Sequence, residues 1–160
     1  MRYFLIIILS LSIIGCMNGQ SGGANNSTNS TSNKCQNILE IWKSIEKYPY
    51  VWGGNKVEEG GFDCSGAIYY VQKKIGKPVP RTTSKKYNIL AEGKGKDWRE
   101  GNCNDWIWWT FEPDRPFGHI GMHINSTRVW QSGSSTGPNS ETLFDGSFWD
   151  KKFEESKNPY

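Results

Sequence analysis

The sequence predicts an α+β domain in which helices come first and a small antiparallel sheet follows. Apolar residues recur at helical spacing in two stretches before residue 76. Short aromatic and β-branched runs, divided by Gly, Pro, Asn and Ser, occupy the stretch after residue 105. No internal repeat and no second domain interrupts the chain of 160 residues.

The elements follow in chain order. Residues 4–14 are apolar except for Ser10 and Ser12, which is signal-peptide length and too short for a stable membrane anchor, so residues 1–15 read as a leader. The leader ends Ile13-Ile14-Gly15-Cys16. This resembles the lipobox of bacterial lipoproteins, with Cys16 as the lipidated residue. Residues 17–33 hold no aromatic residue and no charge, and read as a flexible tether reaching about 20–25 Å, since such a segment buries too little surface to offset its ordering entropy. The folded domain is then 34–160. Ile38, Leu39, Ile41, Trp42 and Ile45 predict an amphipathic helix over 36–48, ended by Pro49. Ala67, Ile68, Val71 and Ile75 predict a second over 65–75, with Cys64 at its amino terminus and Gly76 and Pro78 as its stop. Thr82 or Thr83 caps a third short helix through Leu90. Residues 106–111, 118–124 and 128–132 read as antiparallel strands.

Charge excludes one class of function. A net +3 is far from the basic excess that binding a phosphate backbone requires, so no nucleic-acid partner is expected. Two histidines, without a His-x-x-x-His helix or a Cys-x-x-Cys pair, speak against zinc, and neither metal nor cofactor is expected.

Four cysteines in an exported chain raise disulfides first. With Cys16 lipidated, Cys35, Cys64 and Cys103 remain. Cys64 is the natural free thiol, because the unpaired amides at a helix amino terminus favour a thiolate. Cys35 and Cys103 are then expected to pair, tying the first helix to the loop before the strands. A strand period of two places His119 and His123 on one sheet face, with Ile120, Met122 and Ile124 on the other. Gly118 and Gly121 flank His119 and leave room for a neighbouring element or a substrate. A hairpin centred on Asn125 sets Gln131 directly across from His119, where a polar side chain would orient the imidazole and free its other nitrogen for the thiol. Spacing alone leaves open a buried structural Cys64 and a cross-strand pair of polar residues on a solvent face.

Tyr50-x-Trp52-Gly53-Gly54, Gly61-Phe62-Asp63-Cys64-Ser65-Gly66, Val79-Pro80-Arg81-Thr82-Thr83 and Gly118-His119-Ile120-Gly121 together resemble the NlpC/P60 family of cell-wall cysteine peptidases. The resemblance spans residues 36–135. Asn104-Asp105 before Trp106 is similar to the Gly-Asp that members place ahead of a strand, with Asn104 replacing Gly. The resemblance implies a papain-like fold and hydrolysis of peptidoglycan stem peptides, commonly between γ-D-glutamate and a diamino acid. It assigns Cys64 as nucleophile, His119 as base and then acid, and Gln131 as the third polar residue, where most members carry His. It places Tyr50, Asp63 and Ser65 in the substrate pocket, Asp63 holding the amine of an amino-terminal L-alanine while also capping the helix. A thiolate–imidazolium pair of Cys64 and His119 is expected. The chain is expected to be a monomer in the cell envelope, anchored through Cys16. An amidase or acyltransferase of the same superfamily, and a wall-binding lipoprotein without turnover, are the competing readings.

Overall fold

The first helix, α1 (Asn25–Ile45), buries Ile38, Trp42 and Ile45 along one stripe, as the spacing of its apolar residues requires. A computed structural model describes residues 25–160, with side chains from residue 31. The leader, Cys16 and residues 17–24 lie outside the described residues. The helix starts at Asn25 rather than 36 and stops at Ile45 rather than 48. The tether expected over 17–33 is thereby corrected, because residues 25–33 are helical. Once packing of Ile38 and Trp42 has nucleated the helix, each further residue fixed adds one hydrogen bond, so the helix extends through a polar amino-terminal stretch. Ile45 is the last buried residue, and a turn closes there through the Tyr48 N–H on the Ile45 carbonyl at 3.1 Å.

A two-stranded ribbon, β1 (Asn55–Lys56) with β2 (Gly61–Phe62), leads into α2 (Cys64–Lys74). Asp63 caps α2, its Oδ1 accepting the Gly66 N–H at 2.6 Å. Gly66 is required here, since a Cβ on it would lie 1.9 Å from the Gly54 carbonyl oxygen. The two glycine-containing motifs are thus two sides of one contact, the loop at 53–54 lying directly on the first turn of α2. Then comes α3 (Ser84–Leu90), capped by Thr83, whose hydroxyl accepts the Lys86 N–H.

The larger sheet contains β3 (Trp106–Trp109), β4 (His119–Asn125), β5 (Arg128–Gly133), β6 (Gly137–Thr142) and β7 (Phe153–Lys157). All neighbours are antiparallel in the order β6-β5-β4-β3-β7. A short helix, α4 (Phe148–Lys152), precedes β7. The strand period sorts side chains to two faces. Trp106, Trp108, Ile120, Met122 and Trp130 pack with residues of α1, α2 and α3 in the main core, where Trp42 stacks on Trp130 at 5.6 Å between ring centroids. Ile107, Trp109 and Val129 face the other way, against Trp98 and Leu143, with Trp149 and Phe153 partly buried beside them. Helices followed by a sheet is the order the sequence predicts, and the fold is α+β.

β6, α4 and β7 were not predicted. Gly137-Pro138-Asn139-Ser140-Glu141-Thr142 carries almost no strand propensity, and it forms as an edge strand through backbone pairing to β5. The hairpin register also differs. Gln131 pairs with Gly121, not His119, because β4 spends two residues against one of β5 between His123 and Asn125. The Asn125 side chain drives this irregularity, its Oδ1 accepting the Thr127 and Arg128 N–H groups, both at 2.9 Å.

Asn104, where the family motif has Gly, sits at φ 74, in the left-handed region that Asn tolerates better than other side chains. It then uses the side chain that Gly lacks, accepting from Gln72 Nε2 of α2 at 2.8 Å. Next to it, Cys103 is bonded to Cys35 of α1, with Cα atoms 5.9 Å apart. This is the pairing expected from the sequence, and Cys64 is the free thiol among the described residues.

Candidate active site

Cys64, His119 and Gln131 line one cleft of about 940 Å³, together with Tyr50, Asp63 and Ser65. Every site residue singled out from the sequence, Cys16 excepted, therefore borders the same cavity. Cys64 is delivered by the first turn of α2, His119 by the first residue of β4, and Gln131 by the middle of β5.

Gln131 meets His119 diagonally across the β4–β5 pair, which is within reach of long side chains on one face. Its Oε1 lies 2.9 Å from His119 Nε2. An amide oxygen only accepts, so Nε2 is the protonated nitrogen and Nδ1 presents a lone pair. The ring is packed by Trp109, Phe111 and Trp149, with centroids at 5.6, 5.2 and 6.1 Å. The room left by Gly121 is filled from inside the fold, since a Cβ there would lie 2.9 Å from the Trp109 ring and 2.6 Å from the Trp130 carbonyl oxygen.

Burial opposes charge on both Cys64 and His119. It pushes the Cys64 thiol up to about 11, with Asp63 adding to the shift and the Ile120 and Ser65 backbone N–H groups and Arg81 working against it. It pulls the His119 imidazole down to about 4, against the Gln131 hydrogen bond and the Asp63 charge. Burial thus disfavours charge on either side chain standing alone.

Asp63 accepts hydrogen bonds at both carboxylate oxygens. Its Oδ1 accepts from Ser65 Oγ at 2.8 Å as well as from the cap, and its Oδ2 accepts from the Gly53 N–H at 2.9 Å and Arg81 at 2.7 Å. Arg81 also donates to Ser65 Oγ at 2.8 Å, so the guanidinium, carboxylate and hydroxyl form one closed cluster. Burial raises the Tyr50 phenol to about 12, with Cys64 and Asp63 adding to the shift, which keeps it a hydrogen-bond donor. Aromatic residues also line the cleft, of which only Trp52 lay within a motif of the sequence. Phe111 stacks on Phe148 at 5.6 Å, Trp149 closes the group, and Trp52 stands 84% exposed at the rim. Phe148 and Trp149 come from the unpredicted α4. Arg81 lay within a quoted motif, and its position before the Thr83 cap was the available signal. Among the described residues no cluster of three or more His, Cys, Asp or Glu is placed to hold a metal, and no helix is long and apolar enough to cross a membrane.

The NlpC/P60 family model matches residues 47–157. The chain belongs to the NlpC/P60 family. Among curated relatives, the bifunctional muramidase/DL-endopeptidase CwlT of Bacillus subtilis is 30% identical over 62% of this chain and 30% of its own length. The γ-D-glutamyl-L-lysine dipeptidyl-peptidase of the same organism is 29% identical over 68% of this chain and 35% of its own length. The chain thus spans about a third of these relatives. Among solved structures, an NLP/P60 family protein similar to a lipoprotein from Staphylococcus aureus superposes with a TM-score of 0.66 at 22% identity, covering 79% of this chain and 41% of that one.

Proposed function

We propose that this NlpC/P60 domain is a cysteine endopeptidase of peptidoglycan stem peptides that cleaves the bond between γ-D-glutamate and a diamino acid. One observation carries the reading: a free thiol on the first turn of a helix shares a cleft with an imidazole whose Nε2 is held by Gln131, leaving Nδ1 to take the thiol proton. The relatives named for DL-endopeptidase and γ-D-glutamyl-L-lysine peptidase activity support the substrate class.

In this mechanism the Cys64 proton passes to His119 Nδ1 as Sγ attacks the amide carbonyl carbon. The first backbone amides of α2, that of Cys64 included, receive the oxyanion. Collapse breaks the C–N bond, His119 returns its proton to the departing amine, and a thioester remains on Cys64. Water, deprotonated at Nδ1, then releases the acyl product and restores the thiol. Tyr50, Asp63 and Ser65, with Arg81, form the polar end that receives the γ-D-glutamyl side, Asp63 facing the L-alanine amine. The domain acts as a monomer in the cell envelope, anchored through a lipidated Cys16. With α1 starting at Asn25, residues 17–24 are what separates that anchor from the helix.

The test is mass spectrometry of products from defined muropeptides. Cleavage after γ-D-glutamate by the wild type and none by Cys64→Ala is expected. Burial of both reacting groups favours a second reading, a wall-binding protein without turnover. Retention on sacculi with no product from any muropeptide would select it. An unchanged stem peptide with an amide or acyl group transferred would select the amidase or acyltransferase reading.

A further inference from the structure

The hydrogen bonding of Gln131 does not end at His119. Gln131 Nε2 donates to Asn139 Oδ1, and Asn139 Nδ2 donates to Glu141 Oε1 at 2.7 Å. Asn139 lies opposite Gln131 in the β5–β6 ladder, and Glu141 is two residues along on the same face. Glu141 borders the cleft and has no ion pair among the described residues.

The direction of this chain is chemically determined. A carboxylate only accepts, so Asn139 must turn its NH₂ towards Glu141 and its oxygen towards Gln131. Gln131 must then turn its NH₂ towards Asn139 and its oxygen towards His119. The oxygen fixes the imidazole as the Nε2–H tautomer, the one able to receive a proton at Nδ1. Thr136 Oγ1, 3.3 Å from Asn139 Oδ1, is a second donor consistent with the same orientation. A bare Gln131 has no such preference. Its amide presents oxygen or NH₂ equally well, and with NH₂ forward the imidazole would hold its proton on Nδ1, where the thiol needs a base.

We propose that Asn139 and Glu141 are positioning residues that set the tautomer of His119 through Gln131, the Glu141 carboxylate acting as the acceptor-only end of the chain. This rests on the Cys–His reading of the site, and it accounts for how an uncharged Gln131 serves at a position where His is more usual. The same carboxylate stabilises the imidazolium formed during attack, because each amide dipole in the row points its positive end towards Glu141 and its negative end towards the ring.

The test needs no muropeptide, so its failure and failure of the peptidase assignment are separable. Nitrogen NMR of the neutral His119 ring distinguishes the two tautomers, and the rate of Cys64 alkylation by iodoacetamide reads how well the ring accepts the thiol proton. Wild type should show the Nε2–H tautomer. Glu141→Gln, which can donate as well as accept, and Asn139→Ala should shift the ring towards a tautomer mixture and slow alkylation about three- to tenfold, as expected for loss of one orienting hydrogen bond. In a Gln131→Ala background, adding Glu141→Gln should change neither readout further. An unaltered tautomer and alkylation rate in both single variants would overturn the proposal. So would an equal effect of Glu141→Gln with and without Gln131, which would show that the carboxylate acts by another route.

Discussion

His119 and His123 stand on the same face of the same strand, four residues apart, and both are buried. Burial lowers the pKa of each imidazole. They differ in what holds them. His119 opens onto the cleft and bonds the Gln131 amide, whose own hydrogen bonding runs on to the Glu141 carboxylate, whereas His123 lies 3.0 Å from the carbonyl of Asn125 through Nδ1 and leaves Nε2 without a partner. Around His123 the structure is tied shut, since Asn104 N–H bonds its carbonyl at 3.0 Å beside the Cys35–Cys103 bridge. Residue type, burial and sheet face are thus shared by both histidines. On the proposed mechanism, a place on the cleft beside Cys64 and a directional hydrogen-bond partner separate a reacting group from a structural one.

The largest expected effects fall on the cleft end. Cys64→Ala and His119→Ala should each lower muropeptide turnover by roughly three orders of magnitude or more, and the double variant no further, because either change removes nucleophile formation itself. His123→Ala should keep most of the turnover of the folded protein while costing about 2–4 kcal/mol of stability, as a large-to-small change at a fully buried site. Initial rates and urea unfolding of the same preparations check both statements, and the comparison breaks if His123→Ala is the variant that loses turnover.

Opening the Cys35–Cys103 bridge by Cys35→Ser with Cys103→Ser should cost about 2–4 kcal/mol by freeing the unfolded chain, with kcat of the folded fraction unchanged. Thiol titration of the unfolded, unreduced protein lacking Cys16 should find one free thiol. Finding three would remove the bridge from the account.

Gln131→Ala should slow turnover by an amount equivalent to about 1–3 kcal/mol, while Gln131→His is tolerated. A wild-type rate in Gln131→Ala would mean that another group orients the ring.

A further effect is one of pH. Above about 6.5 both histidines are neutral whether the chain is folded or not; below it the unfolded chain takes up protons that the folded chain refuses, for His119 until about pH 4. Stability should therefore fall as pH drops through that window, by up to about 1.4 kcal/mol per pH unit for each imidazole. His123→Asn should flatten the slope seen in urea unfolding between pH 6.5 and 4. An unchanged slope would show that His123 is not buried as a neutral ring.

Much of this contrast was legible in the sequence. Helical spacing put Cys64 on the first turn of α2, the strand period put both histidines on one face, and Asp63 preceded its helix as a cap. The register was not legible, because an Asx turn at Asn125 adds a residue to β4 and moves Gln131 from beside His119 to the diagonal. Nor were β6 and α4, which hold Asn139, Glu141, Phe148 and Trp149. A polar edge strand and a helix of five residues form because neighbours offer backbone partners and packing, which local propensity does not record. The helical amino-terminal extension of α1 was hidden for a similar reason, its stability coming from the buried turns that follow it.

The central claim is that His119, and not its neighbour on the same face, reacts with Cys64. The most direct measurement compares initial rates of hydrolysis of an L-alanyl-γ-D-glutamyl-diamino acid peptide by His119→Ala and His123→Ala, each confirmed folded. Loss of product in the first, with a rate near wild type in the second, is what the account predicts. Product formation by His119→Ala at the wild-type rate would contradict it.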